Sequence, residues 1–333
     1  MRRIALSLGV LTASLVVALL LAEAVLRAVG FSFGLAPERV EFGWPDPVTI
    51  ESLYLSDPDL FWVSKSYYGD LQRLGAERPR ILFLGDSCTE FGRYPRLFLE
   101  RMRAADPRAE IRGDKLGVGG WSSYQGLQQL KRDVLPLRPR IVTFYFGWND
   151  HWIGFGVEDV DVHWLRTPAF PALERSRVAH LLLKARLAWR ARSDGDRPDR
   201  VSPEDFRANL REMARLARAN GIVPVFLTAP TSHERGREPA HLAYRWLRRL
   251  GDLVPLHQGY VAIVREVARD EGAVLCDLAA RFEGLPADDV RERYFRRDGI
   301  HPTRAGDAKI AEFLQQCFDR EPELRAALAE PAA

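Results

Sequence analysis

Two short polar stretches of the sequence hold residue types suited to nucleophilic catalysis. The triplet Gly-Asp-Ser at 85–87 directly follows the apolar run at 81–84, and Asp298 precedes His301 by three residues in RRDGIHPT. A serine hydroxyl becomes a nucleophile when a histidine accepts its proton and a carboxylate orients that histidine. On a tight turn, Asp298 and His301 can meet side by side. Either stretch alone is also compatible with an ordinary polar turn, and for Asp298-x-x-His301 alone that interpretation is the favoured one.

Two further stretches offer donors for the oxyanion that such a reaction forms. GVGGWSS at 117–123 and GWND at 147–150 each follow a predicted strand. Glycines allow backbone N–H groups to approach a ligand closely, and Asn149 adds a side-chain donor. Each stretch is also typical of loop chemistry when taken by itself.

Other histidines and the cysteines give weaker signals. His233 in TSHERG and His151 after Asp150 are rival bases, but neither has an acid at comparable spacing in so clear a turn. Cys88, beside Ser87, is best interpreted as a small core residue. Cys276 and Cys317 allow one disulfide in an oxidising compartment, although buried free thiols are the favoured state. No metal-binding or dinucleotide motif is present, so no cofactor and no metal are expected.

The elements that must position these residues alternate along the chain from residue 80. Apolar runs predict strands at 80–84, about 109–116, 140–146, 222–228 and 273–278, and helical periodicity predicts helices between them. The clearest helix follows Ser202 as N-cap and Pro203, and stops at Gly221. This alternation predicts an α/β fold, a three-layer flavodoxin-like sandwich with a five-stranded parallel sheet in the order 2-1-3-4-5.

The first 30 residues differ from the rest. Arg2 and Arg3 precede nineteen uncharged residues, 4–22, which at 1.5 Å each nearly cross a hydrocarbon core of about 30 Å. The paired arginines predict a cytoplasmic N-terminus and an extracytoplasmic remainder. We favour an uncleaved transmembrane anchor using residues 4–26. The alternative is a signal peptide cleaved at Ala22-Glu23-Ala24, which would leave a secreted or periplasmic protein.

Composition excludes one class of partner. The chain has 333 residues, 47% hydrophobic and 28% charged, with a formal net charge of +3. It lacks a long basic run with interleaved aromatic residues, so nucleic acid is not an expected partner.

Taken together, the polar blocks resemble the SGNH hydrolase superfamily, the GDSL-like lipases and esterases, in its membrane-tethered bacterial branch. The resemblance runs from about residue 80 to 318, and Cys88 stands where the family usually has Leu. It implies that Ser87 is the nucleophile, His301 the base and Asp298 the residue that holds the base. It also implies an oxyanion hole built from the Ser87 N–H, the Gly120 N–H and the Asn149 side chain.

The expected organisation has four parts: an anchor or signal at 1–30, a linker and N-terminal flank at 31–79, a hydrolase domain at 80–320, and a tail at 321–333. Residues 31–79 are expected to be irregular, with residues 60–62 against the domain. An insertion at 151–200 is predicted to form one rim of the active-site mouth, with a flank position as the alternative. Its basic segment 174–192 is either a solvated helix or a membrane-surface helix.

Three functions remain compatible with these residues. The first is an extracytoplasmic serine esterase that removes O-acyl groups from a glycan or lipid. The second is an O-acyltransferase that uses the same site on an envelope polysaccharide. The third is a non-catalytic envelope assembly protein on the same scaffold.

Overall fold

A five-stranded parallel sheet forms the centre of the protein. The computed structural model describes residues 2–32, 52–107, 111–154, 158–162, 170–193, 198–243 and 246–329. Its strands are β1 (Tyr54–Asp57), β2 (Phe61–Ser64), β3 (Ile81–Gly85), β4 (Gly113–Lys115), β5 (Ile141–Tyr145), β6 (Val223–Leu227) and β7 (Val274–Cys276). Strands β3 to β7 pair in the order β4-β3-β5-β6-β7, all parallel. Counted from β3, this is the predicted order 2-1-3-4-5, which is therefore confirmed.

Helices cover both faces of this sheet. The α-helices are Arg2–Ala28, Tyr67–Glu77, Ser87–Glu90, Tyr94–Ala105, Ser123–Gln129, Phe170–Arg175, Arg177–Ser193, Pro203–Ala219, Leu253–Asp270, Leu278–Glu283, Ala287–Asp289, Arg304–Arg320 and Pro322–Ala329. Short π-helical segments span Leu130–Val134 and Val290–Tyr294, and 3-10 turns span Leu135–Leu137, Asp159–Asp161, Ala240–Leu242 and Leu250–Asp252.

The alternation of side chains along β3 explains the three layers. Leu82 and Leu84 belong to one core cluster, together with residues of helices 123–129, 203–219 and 253–270. Ile81 and Phe83 belong to the opposite cluster, with residues of helices 94–105, 304–320 and 322–329. Successive side chains of a strand point to opposite faces, so an apolar run without alternation predicts a strand buried on both sides.

The N-terminal flank is more ordered than the sequence predicted. Within residues 52–79, β1 and β2 form an antiparallel hairpin that is followed by the helix Tyr67–Glu77, in place of the expected irregular chain. The first part of the expected linker, residues 33–51, lies outside the described residues. Phe61, the first residue of β2, follows the hairpin turn directly. It has a positive φ of 69° although it is not glycine. Leu60, Phe61 and Trp62 are fully buried in one core cluster. This agrees with the expectation that residues 60–62 pack against the domain.

The cysteine pair is a second correction. Cys276 at the end of β7 and Cys317 in helix 304–320 form a disulfide, with their Cα atoms 5.7 Å apart, whereas free thiols were favoured. The disulfide therefore links β7, an edge strand of the sheet, to helix 304–320. Cys88 is free and buried.

The insertion leaves and re-enters the fold at one neck. Ile153 bridges Asp199 in antiparallel fashion, and the N–H groups of Arg200 and Val201 donate to Trp152 O and Asp150 O at 2.7 and 3.0 Å. The two ends of the insertion are therefore held together, and β5 and β6, which flank the insertion in sequence, pair in regular parallel register.

The N-terminal helix Arg2–Ala28 contains one segment, Gly9–Ala28, long and apolar enough to cross a membrane, with a mean hydropathy of 2.3. None of that segment is buried within the protein. It is a candidate membrane anchor or signal sequence.

Candidate active site

Ser87 lies at the point where β3 ends and a short helix begins. Asp86 is the N-cap of helix 87–90, and its carboxylate accepts from Cys88 N at 2.9 Å. An N-cap side chain accepts from one of the first N–H groups of a helix. The other first N–H groups have no acceptor within the helix and are available to a ligand. The turn therefore places the Ser87 hydroxyl and its N–H at the carboxyl edge of the sheet.

His301 and Asp298 meet Ser87 at this edge. His301 Nε2 lies 2.8 Å from Ser87 Oγ, and His301 Nδ1 lies 2.8 Å from Asp298 Oδ2. The second oxygen of Asp298 accepts from the N–H groups of Ile300 and His301, both at 2.9 Å. Burial alone would raise the pKa of Asp298, but the hydrogen bonds from His301 and Ile300 outweigh it and lower that pKa to about 2. Asp298 is therefore ionised at neutral pH.

A neighbouring segment, 231–233, holds the turn that carries Asp298 and His301. Thr231 Oγ1 and Ser232 N donate to Gly299 O at 3.0 and 3.1 Å. His233 Nε2 lies 2.7 Å from Asp298 O, and since a carbonyl only accepts, Nε2 carries the proton. Burial lowers the pKa of His233, which favours this neutral ring. His233 thus supports the turn. No contact between His233 and Ser87 is present to support a role as the base.

The rival base His151 contacts other buried rings and does not line the cleft that contains Ser87. It is fully buried, its Nε2 lies 3.2 Å from His257 Nδ1, and the ring of Trp148 stacks on His257 with centroids 3.8 Å apart. His257 Nε2 lies 2.8 Å from Ala229 O. Burial holds the pKa of His257 at about 4 and that of His151 well below its usual range. Both rings are therefore neutral parts of the packing behind the cleft.

The carbonyl oxygens of Gly119 and Gly120 each accept a hydrogen bond from a buried side chain. Trp62 Nε1 donates to Gly119 O at 2.8 Å, and Arg200 Nη1 donates to Gly120 O at 2.7 Å. In a trans peptide the N–H points away from the carbonyl, so the bond from Trp62 directs the Gly120 N–H to the opposite side. Gly120 adopts a φ of 78°, which favours glycine.

Of the two adjacent glycines Gly119 and Gly120, only Gly120 has an N–H without an acceptor among the described residues. Gly119 N donates to the Glu90 carboxylate at 2.6 Å, so its N–H is occupied. Gly120 N has no acceptor among the described residues, and Gly120 lines the same cleft as Ser87. These contacts favour the sequence-based choice of Gly120 over Gly119.

Asn149 follows β5 and lies beside the turn of Ser87. Its Nδ2 donates to Asp86 Oδ2 at 3.1 Å, which leaves a second N–H of the same amide for a ligand in the cleft that Asn149 lines. Burial raises the pKa of Asp86 to about 6, against the opposing effect of its hydrogen bonds. Asp150 ties the neighbouring loops together, because its two oxygens accept from Ser123 N at 2.8 Å and Gly147 N at 3.0 Å.

A cleft of about 400 Å³ opens over these groups. It contains Ser87, His301, Asp298, Gly120 and Asn149, so the structure brings together all five sequence-predicted site residues. Its apolar walls are Leu53, Tyr54, Phe91, Trp148, Trp152, Leu242, Trp246 and Ile300. The described residues contain no group of three or more His, Cys, Asp or Glu side chains suited to a metal ion.

The described part of the insertion contributes less of this rim than predicted. Trp152, at its neck, lines the cleft, but none of its described residues at 158–162 or 170–193 does. His241, Leu242 and Trp246 form the rim instead. Sequence reasoning missed them because their segment has no motif and no regular period.

The comparison with family models agrees with this geometry. The model of the GDSL-like lipase/acylhydrolase family matches residues 83–309, which is more than half of the chain. The chain belongs to this family. It is a hydrolase of ester bonds.

Solved structures with a similar fold have low sequence identity. A GDSL-like lipase from Bacteroides thetaiotaomicron VPI-5482 is 17% identical, with a TM-score of 0.48, and the match covers 77% of this chain and 97% of that one. A lipase/acylhydrolase from Enterococcus faecalis is 19% identical, with a TM-score of 0.47, over 71% and 94% of the two chains. The acetyl xylan esterase AlAXEase is 18% identical, with a TM-score of 0.47, over 71% and 98%. A search of curated proteins finds no match.

Proposed function

We propose that this protein is a membrane-anchored, extracytoplasmic serine esterase that removes O-acyl groups from a glycan or lipid. The observation that carries the proposal is the 2.8 Å contact between Ser87 Oγ and His301 Nε2, in residues 214 positions apart. If both stretches were ordinary polar turns, there would be no reason for the two atoms to meet.

The proposed reaction uses each group at the position described above. His301 Nε2 accepts the Ser87 proton as Ser87 Oγ attacks the ester carbonyl, and Asp298 stabilises the resulting imidazolium. The Ser87 N–H, the Gly120 N–H and the Asn149 amide donate to the oxyanion, each worth on the order of 3 kcal/mol. His301 then protonates the leaving alcohol, and a water molecule activated by the same histidine releases the acyl group from Ser87.

The proposed substrate class follows from the shape of the cleft. A space of about 400 Å³ with indole and phenyl walls suits a small acyl group attached to a larger alcohol. Aromatic side chains such as Trp148, Trp152 and Trp246 offer flat apolar faces to a sugar ring or an acyl chain.

The proposed location has two supports. The helix Arg2–Ala28 is long and apolar enough to span a bilayer, with arginines before the apolar segment. The disulfide between Cys276 and Cys317 is typical of an oxidising compartment.

The test is hydrolysis of p-nitrophenyl acetate and of O-acetylated glycans by the full chain in detergent. Ser87→Ala should abolish turnover of both substrates. Ser66→Ala is a matched control, because Ser66 is exposed and its side chain makes no cap hydrogen bond. Equal activity of the Ser87→Ala variant and the wild type would overturn the proposal.

A further inference from the structure

The single acidic residue of the N-terminal apolar helix has a structural partner that the proposed reaction does not use. The Glu23 carboxylate accepts from Arg177 N at 3.0 Å, Val178 N at 2.9 Å and Ser176 Oγ at 3.1 Å. The N–H groups of Arg177 and Val178 are the first two of helix 177–193 and have no acceptor inside their own helix. Glu23 therefore caps that helix from another element, and its negative charge complements the helix dipole.

Further contacts join the same two elements. Arg27 Nη2 donates to Arg175 O at 2.5 Å, and Arg177 Nη1 donates to Ser32 Oγ at 3.0 Å. Lys184 Nζ lies 5.8 Å from the centre of the Phe31 ring. Residues 23–32 and 175–184 thus form one interface, which we call the anchor dock.

The level of this interface relative to a bilayer follows from the sequence. The nineteen uncharged residues 4–22 span about 28 Å as a helix, close to the hydrocarbon thickness of about 30 Å. Glu23 then lies near the outer boundary of the hydrocarbon, towards the outer end of the apolar segment Gly9–Ala28, where a carboxylate with several donors is tolerated. The first turn of helix 177–193 must lie at the same level.

The exposed side chains of this helix suit that position. Leu182 is 64% exposed and Trp189 is 70% exposed, and a spacing of seven residues places both on one face of the helix. Leu183, about a quarter-turn away, packs against the core of the catalytic domain. Tryptophan is enriched at membrane interfaces, and Arg186, four residues after Leu182 on the same face, suits a surface of anionic headgroups.

We infer that Glu23 docks helix 177–193 onto the outer end of the anchor, so that Leu182 and Trp189 enter the outer leaflet of the bilayer. The inference rests on the proposal that the apolar helix spans a membrane. In this arrangement the insertion has a role besides the rim of the cleft, because its helix 177–193 fixes the height and tilt of the catalytic domain above the lipid. The arrangement also assigns a purpose to the only acid in the anchor.

The test places a nitroxide label on the full chain in nanodiscs of phosphatidylcholine and phosphatidylglycerol. Leu182→Cys carries the label, and Leu55→Cys is the control, since Leu55 is another exposed leucine, 43% accessible, on β1. The native cysteines are a disulfide and a buried thiol. We expect the label at 182 to relax with oxygen rather than with a water-soluble nickel chelate, and the label at 55 to do the reverse. Equal access of the nickel chelate to both labels would overturn the inference.

A second pair of variants tests the role of Glu23. Glu23→Ala in the Leu182→Cys chain should move the label into water, whereas Glu23→Gln, which keeps an acceptor oxygen, should retain part of the lipid contact. An unchanged label in Glu23→Ala would contradict docking by Glu23. Carbonate washing of membranes separates the two proposals: extraction of the full chain refutes the anchor itself, whereas a retained chain with a water-exposed label refutes only the anchor dock.

Discussion

Trp62 connects the N-terminal flank with the candidate oxyanion hole. Its indole N–H is the donor that fixes the Gly119–Gly120 peptide, and the ring is fully buried. Nothing in the sequence links Trp62 with Gly120, because the two are far apart along the chain and belong to different elements. The residue types of the site could be predicted from the sequence, but the residues that orient them depend on tertiary packing.

Replacement of Trp62 by Phe should therefore lower kcat more than it changes KM. Loss of one buried hydrogen bond worth about 1–1.5 kcal/mol predicts a decrease in kcat of roughly tenfold. Steady-state kinetics with p-nitrophenyl acetate measures this split. Trp121→Phe is the matched control, since Trp121 Nε1 donates to Trp62 O at 2.8 Å rather than to the oxyanion peptide. Equal losses of kcat in the two variants would indicate a general packing defect.

His257 should make the stability of the fold depend on pH. Burial holds its pKa at about 4, below the value near 6.5 of an unfolded histidine. Between pH 6.5 and 4 the unfolded state therefore binds a proton that the folded state does not, and this contribution to stability is lost as the pH falls. Above pH 6.5 the contribution of His257 to the free energy of unfolding is fully present.

The measurement is urea unfolding of the wild type and His257→Gln at several pH values. Other titrating groups contribute to both chains, so the difference between their unfolding free energies isolates His257. That difference should shift against the wild type by up to about 3 kcal/mol between pH 7 and pH 4. A difference that is constant with pH would contradict a buried neutral His257.

At the scale of elements, the segment 231–233 after β6 holds the turn 298–301 by hydrogen bonds. The close approach is possible because Gly299 has no side chain: a Cβ there would lie 2.4 Å from the ring of His233, and its φ is 72°. The sequence showed His233 only as a rival base, because its contact with Asp298 O joins two distant loops.

His233→Ala should lower kcat by about tenfold, through loss of the hydrogen bond that holds the Asp298 carbonyl. Gly299→Ala should cost more, and the double variant should recover part of that loss because the steric conflict is removed. The double-mutant cycle on kcat with p-nitrophenyl acetate measures this coupling. Additive losses would show that the two residues act independently.

The same scale explains which elements could be predicted. The runs in β3 and β6 are apolar without interruption, and that in β5 contains only Thr143 among apolar and aromatic residues, so their burial on both faces determines them locally. The hairpin β1–β2 could not be predicted, because each strand has only four residues and the turn depends on a positive φ at Phe61. The disulfide could not be predicted either, since two cysteines 41 residues apart meet only when β7 and helix 304–320 pack together.

For the whole molecule, the disulfide should contribute to global stability and not to catalysis. Closing a loop with a sequence separation of 41 residues is worth about 4 kcal/mol in the chain-entropy model. The variant Cys276→Ser/Cys317→Ser should therefore unfold at a lower urea concentration, while kcat is unchanged under conditions where both chains are folded. A stability equal to that of the wild type would contradict a formed disulfide.

The central claim is that Ser87, His301 and Asp298 act as one catalytic unit, and labelling of the full chain with a fluorophosphonate tests it most directly. Mass spectrometry of the digested adduct should locate the phosphonyl group on Ser87, and His301→Ala should slow labelling by several orders of magnitude. Addition of His301→Ala to Ser87→Ala should reduce turnover little further, because the pair acts together. Absence of an adduct on Ser87 in the folded wild-type chain, or labelling unaffected by His301→Ala, would contradict the account.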